Sequence, residues 1–491
     1  MTQIQACVTF NNLTKDKAYL KEGMDFEKYK AKKQDKKRAK DIFKKHKLEV
    51  VSECPWSMTI VGDKSDYERL FGTVLCEKKM RNAKYASRPS VWFPDDKGGW
   101  NYDHPLKEII DEAYIQWPFY YQNNRFPRKN HLFFPPLVDY HHLRVPGDVA
   151  ATVNASRIHQ KGIVGKGVRV LMLDSGFHFD HHHFQEYGYD VRRILGPLAS
   201  DIENDPEGHG TAMAATLLAV APGVALTGMK LVNENDDLLD TSLETAFKEA
   251  LKLDPLPNII SLSLSSDLVD ISDDDREHLN DLPGSLGGLV THIKRAIALG
   301  ITVVCAAGNG EVGFPAMMPE VISVGGVYVD EKGLMEASDY TSAFESKIYP
   351  NRHVPDLCGL SGMHRHSNRA NKPRTEGGYI MLPVQQLEKL DRDRDSTKAD
   401  DSWAIIGGSS TATAQVAGVC ALLKEKNPHL TPADLKRLLI SNARKVRIGH
   451  SNSRSNKGKV IKANRRNKPG ASGAGLVDAF EAFEAVDNGN F

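Results

Sequence analysis

The chain has 491 residues, more than one ordinary hydrophobic core accommodates, so its length predicts two domains plus insertions. Its basic and acidic residues almost cancel, leaving a formal net charge of +1. A charge this small provides no overall field that would attract nucleic acid, a membrane surface or acidic substrates. The hydrophobic fraction of 41% is that of an ordinary globular protein.

The six cysteines are spread along the chain with no close-set pair. This spacing matches neither a zinc site nor a disulfide scaffold. The N-terminal segment has no basic-then-apolar stretch of the signal-peptide kind. No apolar run approaches the roughly 20 residues that a membrane span needs. These features predict a soluble, cytoplasmic protein.

The first unit, residues 1–80, follows the order strand, helix, strand, strand, helix, strand. Its first helix falls in a basic stretch, residues 28–47, and would bury a few apolar side chains beneath a solvated cationic face. A second helix is expected to begin at Ser65, whose side chain can cap it. This order is that of a small α+β, ferredoxin-like domain. The four strands are predicted at residues 6–10, 48–52, 57–61 and 73–76.

Residues 81–147 are rich in aromatic residues, proline, asparagine and histidine. Proline removes a backbone donor and interrupts helices. We therefore expect an extended connection here, with one helix at residues 106–113.

Residues 148–491 alternate strand patterns with helix patterns, which predicts an α/β fold with a mostly parallel sheet and helices on both faces. A charged, irregular stretch at residues 361–401 is interpreted as a surface insertion, and the basic stretch at residues 444–468 as a flexible loop. The strands are continuous apolar runs, as is typical of strands buried on both faces, at residues 168–173, 225–231, 259–264, 301–306 and 321–327. The helices are predicted at residues 211–220, 242–253 and 289–299.

Two polar residues directly follow predicted strands of this sheet. Asp174 comes after the first strand, and Asn309 comes three residues after the end of the strand at 301–306 in a Gly-Asn turn. Ligands of α/β sheets bind beyond the carboxyl ends of the strands. Each residue alone is equally well explained as a turn residue.

Two further polar residues begin helices made of small residues. His209 opens one, and Ser410 opens another after a Gly-Gly-Ser sequence in which Ser409 is a neighbouring hydroxyl. A helix N-terminus presents free N–H groups and a partial positive charge, which favour a developing oxyanion. Either residue could by itself be an ordinary helix-terminal group.

Taken together, these four blocks resemble those of the subtilisin-like serine peptidases, the subtilase family, in which Asp, His, oxyanion Asn and Ser occur in this order. Residues 259–264, 312–316 and 475–479 resemble further blocks of the family. The resemblance spans about residues 154–487 and is interrupted by the insertion.

The resemblance implies a serine endopeptidase that works through an acyl-enzyme. Ser410 would attack the peptide carbonyl while His209 takes its proton, and Asp174 would hold the imidazole. The side-chain amide of Asn309 would donate a hydrogen bond to the oxyanion.

The resemblance also implies how a substrate binds. A protein or peptide substrate would add as a β-strand along residues 263–265, and the side chain before the cut would enter a pocket. Gly313 would leave the base of that pocket open to a large side chain, whereas Ser265 would narrow its entrance. Because these two features oppose each other, no preferred residue before the cut is predicted. A regulatory protein partner stays open, and neither a membrane nor a nucleic acid is expected. The implied contacts are Ser263, Leu264, Ser265, Ala306, Ala307, Gly308 and Gly313.

One departure from the family concerns metal binding. Where relatives commonly carry an aspartate that helps hold a structural calcium, this chain has His183. Calcium prefers oxygen ligands, so we expect no metal and no cofactor, with a structural calcium as the alternative. His181 and His182 beside it could suggest zinc or nickel, but adjacent histidines point in different directions, and a polar surface turn is the favoured interpretation.

The ferredoxin-like unit resembles the propeptide that many subtilases carry, which implies a zymogen. The propeptide would plug the cleft until self-cleavage within residues 123–150. A retained domain that docks a partner is the alternative for this unit. For the whole chain, the alternative function is a catalytically idle subtilase-fold protein that binds peptides or partners.

Overall fold

The fold is described from a computed structural model of the chain. Two sheets organise it, one near the N-terminus and one in the remainder. The structure describes residues 3–11, 13, 16–20, 24–79, 90–94, 106–115, 120–121, 135–138, 141–205, 207–232, 242–268, 280–363, 377–385, 401–466 and 468–487.

The N-terminal unit is an antiparallel sheet covered by helices. Four strands form the sheet in the order β2-β3-β1-β6, while β4 and β5 pair separately. Helix α1 buries Ala39 and Phe43 and leaves its lysines towards solvent, as predicted for this basic stretch. The described elements are β1 (Gln3–Thr9), α1 (Lys33–Lys45), β2 (Glu49–Glu53), β3 (Ser57–Asp63), α2 (Lys64–Phe71), β4 (Leu75–Lys79), β5 (Ser90–Pro94) and β6 (Glu112–Tyr114).

Two predictions for this part of the chain were wrong. The segment around β4 does not complete the sheet; its edge strand is β6, which comes from the predicted connection. The predicted helix at residues 106–113 is only a 3-10 turn, Leu106–Glu108, followed by β6. The reason is tertiary, because β6 pairs with the otherwise open edge of β1, with Cys7 opposite Tyr114.

The larger unit is built on one main sheet and three small ones. Its remaining strands are β7 (Tyr120–Tyr121), β8 (His142–Arg144), β9 (Arg169–Asp174), β10 (Val191–Leu195), β11 (Ala225–Lys230), β12 (Ile259–Leu262), β13 (Leu264–Asp267), β14 (Thr302–Ala306), β15 (Gly313–Phe314), β16 (Ile322–Val329), β17 (Met335–Ala337), β18 (Phe344–Glu345), β19 (His353–Val354), β20 (Leu357–Leu360), β21 (Tyr379–Pro383) and β22 (Trp403–Ile406). The helices are α3 (Gly147–Thr152), α4 (Ala155–His159), α5 (His182–Tyr187), α6 (His209–Val220), α7 (Ser242–Ala250), α8 (Gly287–Ala298), α9 (Ser409–Lys426), α10 (Pro432–Ser441) and α11 (Ala479–Asp487).

The main sheet has the order β10-β11-β9-β12-β14-β16-β17, with β20 also paired to β16. All of its pairs are parallel except β16 with β17. Both faces are buried, since Val170 and Met172 of β9 pack in the core with α6 and α9, while Leu171 and Leu173 pack in the core with α7 and α8. This confirms the predicted α/β architecture. None of the helices in the described ranges is long and apolar enough to cross a bilayer.

The stretch predicted as a surface insertion is partly core. Within residues 361–401, strand β21 is buried and pairs with β22 and β8. The prediction failed because the flanking charged runs masked a short apolar segment, Tyr-Ile-Met-Leu, that completes a three-stranded sheet. The flanking runs, residues 364–376 and 386–400, lie outside the described residues.

The N-terminal sheet contacts α7 and α8 through a buried polar cluster. Glu244 accepts hydrogen bonds from the Cys7 thiol (2.7 Å) and the Ser57 hydroxyl (3.1 Å). Lys248, one turn along α7, lies 3.0 Å from Glu244 and donates to Thr59 Oγ1 at 3.0 Å. The two charges therefore pair with each other within α7, and their hydrogen bonds to Cys7, Ser57 and Thr59 join α7 to β1 and β3.

A thiol and an imidazole complete this cluster. Cys54 Sγ lies 3.5 Å from His292 Nε2 of α8 and 3.3 Å from Ser57 Oγ. Burial raises the pKa of the Cys54 thiol, but the neighbouring His292 and Lys248 outweigh burial and bring it down to about 6. Burial also acts to raise the pKa of Glu244, and here too the neighbouring cations lower it overall.

Candidate active site

Two of the predicted residues, Asp174 and His209, are in direct contact. Asp174 ends β9 and His209 begins α6, and His209 Nδ1 lies 2.5 Å from Asp174 Oδ1. Both side chains are fully buried. The second residue of α6 is Gly210, where a β-carbon would overlap the carbonyl oxygen of Gly176, so only glycine lets the helix start lie this close to the loop after β9.

A buried carboxylate that the motif analysis missed fixes this contact. Asp205 accepts hydrogen bonds from the Thr211 amide (2.9 Å), the Thr211 hydroxyl (2.6 Å) and the Ser175 hydroxyl (2.7 Å). Ser175 in turn accepts from the Gly210 amide at 3.0 Å. Asp205 thus ties the first turn of α6 to the residue after Asp174. Its position four residues before His209 was the available signal, because Asp often caps a helix start.

Burial raises the pKa of Asp205, and its hydrogen bonds from Thr211 and Ser175 offset part of that rise. The Asp205 carboxylate is buried away from water, and it stabilises the start of α6 by accepting these hydrogen bonds.

The third residue, Ser410, lies in the first turn of α9. Its hydroxyl donates to the carbonyl oxygen of Ser263 at 3.0 Å, and the Ser263 hydroxyl donates to the carbonyl oxygen of Ser410 at 3.1 Å. Helices α6 and α9 pack against each other, so the helix that begins at His209 and the helix that carries Ser410 share one core. The N-terminus of α9 gives Ser410 a local positive field.

Asn309 follows β14 and is attached to the start of α9. Its side-chain oxygen accepts from the Ser409 amide at 3.0 Å, and the Ser409 hydroxyl accepts from the Gly308 amide at 3.3 Å. With the oxygen held in this way, the nitrogen is the end of the amide that can donate to an oxyanion. Strands β9, β12 and β14 are neighbours. Asp174, which ends β9, and Ser263 and Asn309, which follow β12 and β14, therefore lie at the same edge of the sheet.

A second carboxylate that the sequence did not single out, Glu311, holds the Asn309 loop. One of its oxygens accepts from the backbone amide of Asn309 at 2.5 Å. Burial raises the pKa of Glu311, with the Asn309 amide and the nearby Arg454 offsetting part of the rise.

The segment predicted to bind substrate is a strand with partners on both sides. On one side, β13 pairs with β15, with Asp267 opposite Gly313. On the other side, β13 pairs antiparallel with β7, with Leu264 opposite Tyr121 and Ser265 opposite Tyr120. The edge at which a substrate strand would add is therefore occupied by the chain's own residues.

The predicted pocket walls also converge. Ala306 ends β14, and the amide of Ala307 donates to Val324 at 2.9 Å, which continues the sheet into the loop before Gly308. A β-carbon on Gly313 would overlap the carbonyl oxygen of Ala307, so the two walls touch and Gly313 must lack a side chain.

The histidine cluster is a packed helix start and not the polar surface turn that we predicted. His181 and His183 are buried at the beginning of α5, and both rings contact Trp403. Burial lowers the pKa of His181 to about 2 and that of His183 to about 4. The prediction failed because the neighbouring aromatic residues outweigh the polarity of the imidazoles.

The residues present do not fit a calcium ion at the position of His183. Its ring is enclosed by Phe184, Tyr187, Tyr189 and Trp403, which supply no carboxylate oxygens. Within the described ranges, no group of three or more His, Cys, Asp or Glu side chains is arranged to hold a metal ion.

This fold and this arrangement of residues define a protein of the subtilisin-like class. The sequence profile of the subtilase family matches residues 165–466. The chain belongs to the subtilase family.

Individual relatives are distant. The chain is 28% identical over 312 residues to the subtilisin-like protease PopC of Myxococcus xanthus, a match that covers 59% of this chain and 58% of PopC. It is 26% identical over 308 residues to the serine protease AprX of Bacillus subtilis, covering 56% of this chain and 61% of AprX. An intracellular serine protease of Paenibacillus polymyxa is 27% identical over 290 residues, covering 53% of this chain and 68% of that protein. The chain thus matches less than two thirds of the length of PopC and AprX.

Two solved structures share the fold. Fervidolysin from Fervidobacterium pennivorans, a keratinolytic enzyme related to subtilisin, aligns with a TM-score of 0.56 at 15% identity, covering 98% of this chain and 61% of fervidolysin. A lanthipeptide protease aligns with a TM-score of 0.50 at 18% identity, covering 69% of this chain and 93% of that protease. At these identities the likeness shows a subtilisin-like fold.

Proposed function

We propose that this chain is a serine endopeptidase with Asp174, His209 and Ser410 as its catalytic triad. The observation that carries the proposal is the fully buried Asp174–His209 contact at 2.5 Å beside the helix whose first turn holds Ser410. A buried Asp bonded to His Nδ1 orients the other imidazole nitrogen as a base, which is the arrangement that activates a serine hydroxyl.

The mechanism follows from these positions. Ser410 Oγ attacks the peptide carbonyl carbon and passes its proton to His209, which returns it to the leaving amine. Asp174 stabilises the imidazolium that forms in between. The amide nitrogen of Asn309 and the backbone N–H of Ser410, at the N-terminus of α9, donate to the oxyanion. Water then hydrolyses the acyl-enzyme by the same route. These steps need no cofactor, and we propose none.

We further propose that the N-terminal unit makes the protein a zymogen. The supporting observation is the antiparallel pairing of β7 with β13, because a peptide substrate would add to the same edge. Strand β6 of the N-terminal sheet ends at Tyr114, six residues before β7 begins, so β7 follows the N-terminal unit closely along the chain. Self-cleavage within residues 123–150 would leave β7 as a product-like inhibitor.

The substrate that we propose is a protein or peptide in extended form, recognised along Ser263, Leu264 and Ser265. A regulatory protein partner could release the N-terminal unit. The proposed location is the cytoplasm, and all six cysteines being free thiols agrees with a reducing compartment.

The proposed function is tested with a fluorophosphonate probe, which reacts with activated serines. We expect the wild type to be labelled at Ser410, as mapped by peptide mass spectrometry, and Ser410→Ala to be unlabelled. Ser409→Ala is the matched control, because it removes the neighbouring hydroxyl and should keep the label. Labelling that survives in Ser410→Ala, or is lost only in Ser409→Ala, would refute the assignment of the nucleophile.

The same experiment distinguishes the catalytically idle alternative. An idle peptide-binding protein would bind an extended peptide in both the wild type and Ser410→Ala and would take up no probe in either. Absence of label in the wild type after removal of the N-terminal unit would favour that alternative.

A further inference from the structure

A second pocket lies at the edge of the main sheet opposite the triad. It has a volume of about 680 Å³ and is formed by residues next to β19, β20 and α10 and by the basic segment 444–468. Asp356, which lines it, directly precedes β20, a strand parallel to β16, so the pocket is at the amino ends of the strands. Asp174 and Asn309 lie at the carboxyl ends. The volume is in the range of about 300–1,000 Å³ that is typical of small-molecule sites.

The charges that line this pocket are strongly unbalanced. Among the described residues that line the pocket, Asp356 is the one carboxylate, and it is neutralised by Arg352 and by Lys436, whose Nζ lies 3.0 Å from it. The pKa of Asp356 is lowered, because these two cations outweigh the effect of burial. The positive side chains are Arg352, Lys445, Arg447, Arg465 and Lys468.

Three of these cations have no compensating charge. In the part of the chain that the structure describes, Lys445, Arg447 and Lys468 form no ion pair, and all three are exposed at the pocket. Arg465 has Glu345 as a partner at 3.4 Å. Holding like charges together costs free energy unless a counter-ion binds.

The described residues of the basic segment pair through their backbone with neighbouring parts of the chain, a pairing that the prediction of a flexible loop did not include. The segment contains ten lysines and arginines and no acidic residue between 444 and 468. Backbone bridges join Arg444 to Leu476, Gly449 to Ala337 and His450 to Lys462. The cations are therefore displayed on a fixed frame. Apolar lining residues, which concentrate the field inside the pocket, are Pro355, Ile440, Val446, Ala463 and Pro469.

We propose that this pocket binds a small polyanion that carries several phosphate or carboxylate groups. Arg447 and Arg465 provide planar guanidinium groups, which bind both kinds of oxyanion through two parallel hydrogen bonds. Lys445 and Lys468 add two further positive charges. A ligand with a single negative charge could not neutralise all of these cations, so a ligand with several is expected. The site is independent of the proposed peptidase activity.

The test is isothermal titration of the full chain carrying Ser410→Ala, which prevents self-cleavage, with inorganic triphosphate and, separately, with citrate. The variant Lys445→Ala/Arg447→Ala/Lys468→Ala should bind at least about tenfold more weakly, equivalent to about 1.4 kcal/mol. The matched control is Lys459→Ala/Lys462→Ala/Arg466→Ala, which removes the same charge from the same segment outside the pocket. The control should change the Kd by less than about twofold.

Each outcome bears on the proposal. Tighter binding of triphosphate than of citrate assigns phosphate as the ligand group, and the reverse assigns carboxylate. If the pocket variant and the control weakened binding equally, the proposed site would be overturned, because the whole basic segment would then attract anions nonspecifically. If neither anion bound the protein, the proposed site would also be overturned. Should the pocket variant melt lower than its parent, Lys445→Gln with Lys468→Gln gives the same comparison with a milder change.

Discussion

Ser410 is held by Ser263 through two hydrogen bonds, one at its side chain and one at its backbone. Its hydroxyl and its backbone carbonyl are hydrogen-bonded to the carbonyl and hydroxyl of that residue, at 3.0 and 3.1 Å. The proposed nucleophile is thereby held beside the strand along which we propose that a substrate lies. Asn309 is fixed in a similar way, through its side-chain oxygen and its backbone amide. These local contacts would preorganise both residues for the catalysis that we propose.

Replacing Asn309 by Ala should lower kcat by about 10²–10³-fold and leave KM nearly unchanged, because the amide would donate only to the oxyanion of the transition state. This magnitude comes from a subtilisin and not from this chain. Asn309→Asp keeps the shape of the side chain but replaces the donating NH2 group with an oxygen, so its kcat should fall by a similar factor. Steady-state kinetics on a peptide substrate check this, and a raised KM with an unchanged kcat would contradict the assigned role.

Replacing Glu311 by Gln should stabilise the protein at neutral pH and have no effect in acid. Burial raises the pKa of Glu311, so its stabilising contribution is complete below the unfolded value of about 4.3 and is lost as pH rises through the folded value. Gln cannot ionise, so the Glu311→Gln variant keeps this stabilising contribution at neutral pH. Thermal melting of the wild type and Glu311→Gln across pH 4 to 8 measures the difference.

The expected gain in Tm is a few degrees at most and should grow with pH. Glu311→Gln retains an oxygen that accepts from the Asn309 amide, so kcat should be preserved, whereas Glu311→Ala should reduce it. A Tm difference that is independent of pH would show that Glu311 does not titrate as proposed.

At the scale of elements, the decisive feature is the pairing of β7 with β13. The variant Tyr120→Pro/Tyr121→Pro removes both backbone N–H groups from β7, so it cannot form the ladder. We expect the uncleaved variant to hydrolyse a short peptide at least about tenfold faster than the uncleaved wild type, since the substrate no longer competes with β7. Initial rates, with intact mass recorded in parallel, provide the measurement.

The matched control for β7 is Tyr120→Phe/Tyr121→Phe, which keeps both N–H groups and should behave as the wild type. If the proline variant were no faster than the phenylalanine variant, β7 would not be inhibitory.

The long buried strands could be predicted from sequence, and the short strands could not. Continuous apolar runs predicted the bounds of β9, β11, β14 and β16 to within about two residues. A strand that is buried on both faces is apolar along its whole length, so its own sequence is enough to identify it. Strands such as β7, β15 and β21 span two to five residues, and only their partners elsewhere in the chain make them strands. The same reason explains the failure at β6.

The candidate site divides in a similar way. Asp174, His209, Asn309 and Ser410 could be proposed because each sits in a motif whose order along the chain is informative. Asp205 and Glu311 were missed because their role depends on which backbone amides lie opposite them in space. The position of Asp205 just before a helix start hints at capping, but neither carboxylate gives a sign in the sequence that it will be buried.

At the scale of the whole molecule, the N-terminal unit is joined to α7 and α8 by the cluster around Glu244. The Cys54 thiol in this cluster has its pKa lowered to about 6, so it contributes stability that is present above the unfolded value of about 8.5 and lost as pH falls through 6. Between pH 9 and 6 the wild type should lose on the order of 1–3 kcal/mol of unfolding free energy from this group.

Cys54→Ser should flatten this pH dependence, because serine does not ionise. Chemical unfolding at pH 6, 7.5 and 9 measures it, with Cys76→Ser, a thiol outside the cluster, as the control that should keep the slope. Parallel slopes for the wild type and Cys54→Ser would exclude a thiolate at this interface.

Proteolysis itself is the most direct readout of the proposed catalytic triad. Wild type and Ser410→Ala, purified side by side, would be followed by intact mass and by release of peptides from an unfolded protein substrate. We expect the wild type to lose an N-terminal fragment through a cut within residues 123–150 and to release peptides, and we expect Ser410→Ala to stay intact and to be at least about 10³-fold slower. Equal peptide release by both proteins, or none by the wild type once the N-terminal unit has been removed, would contradict the account.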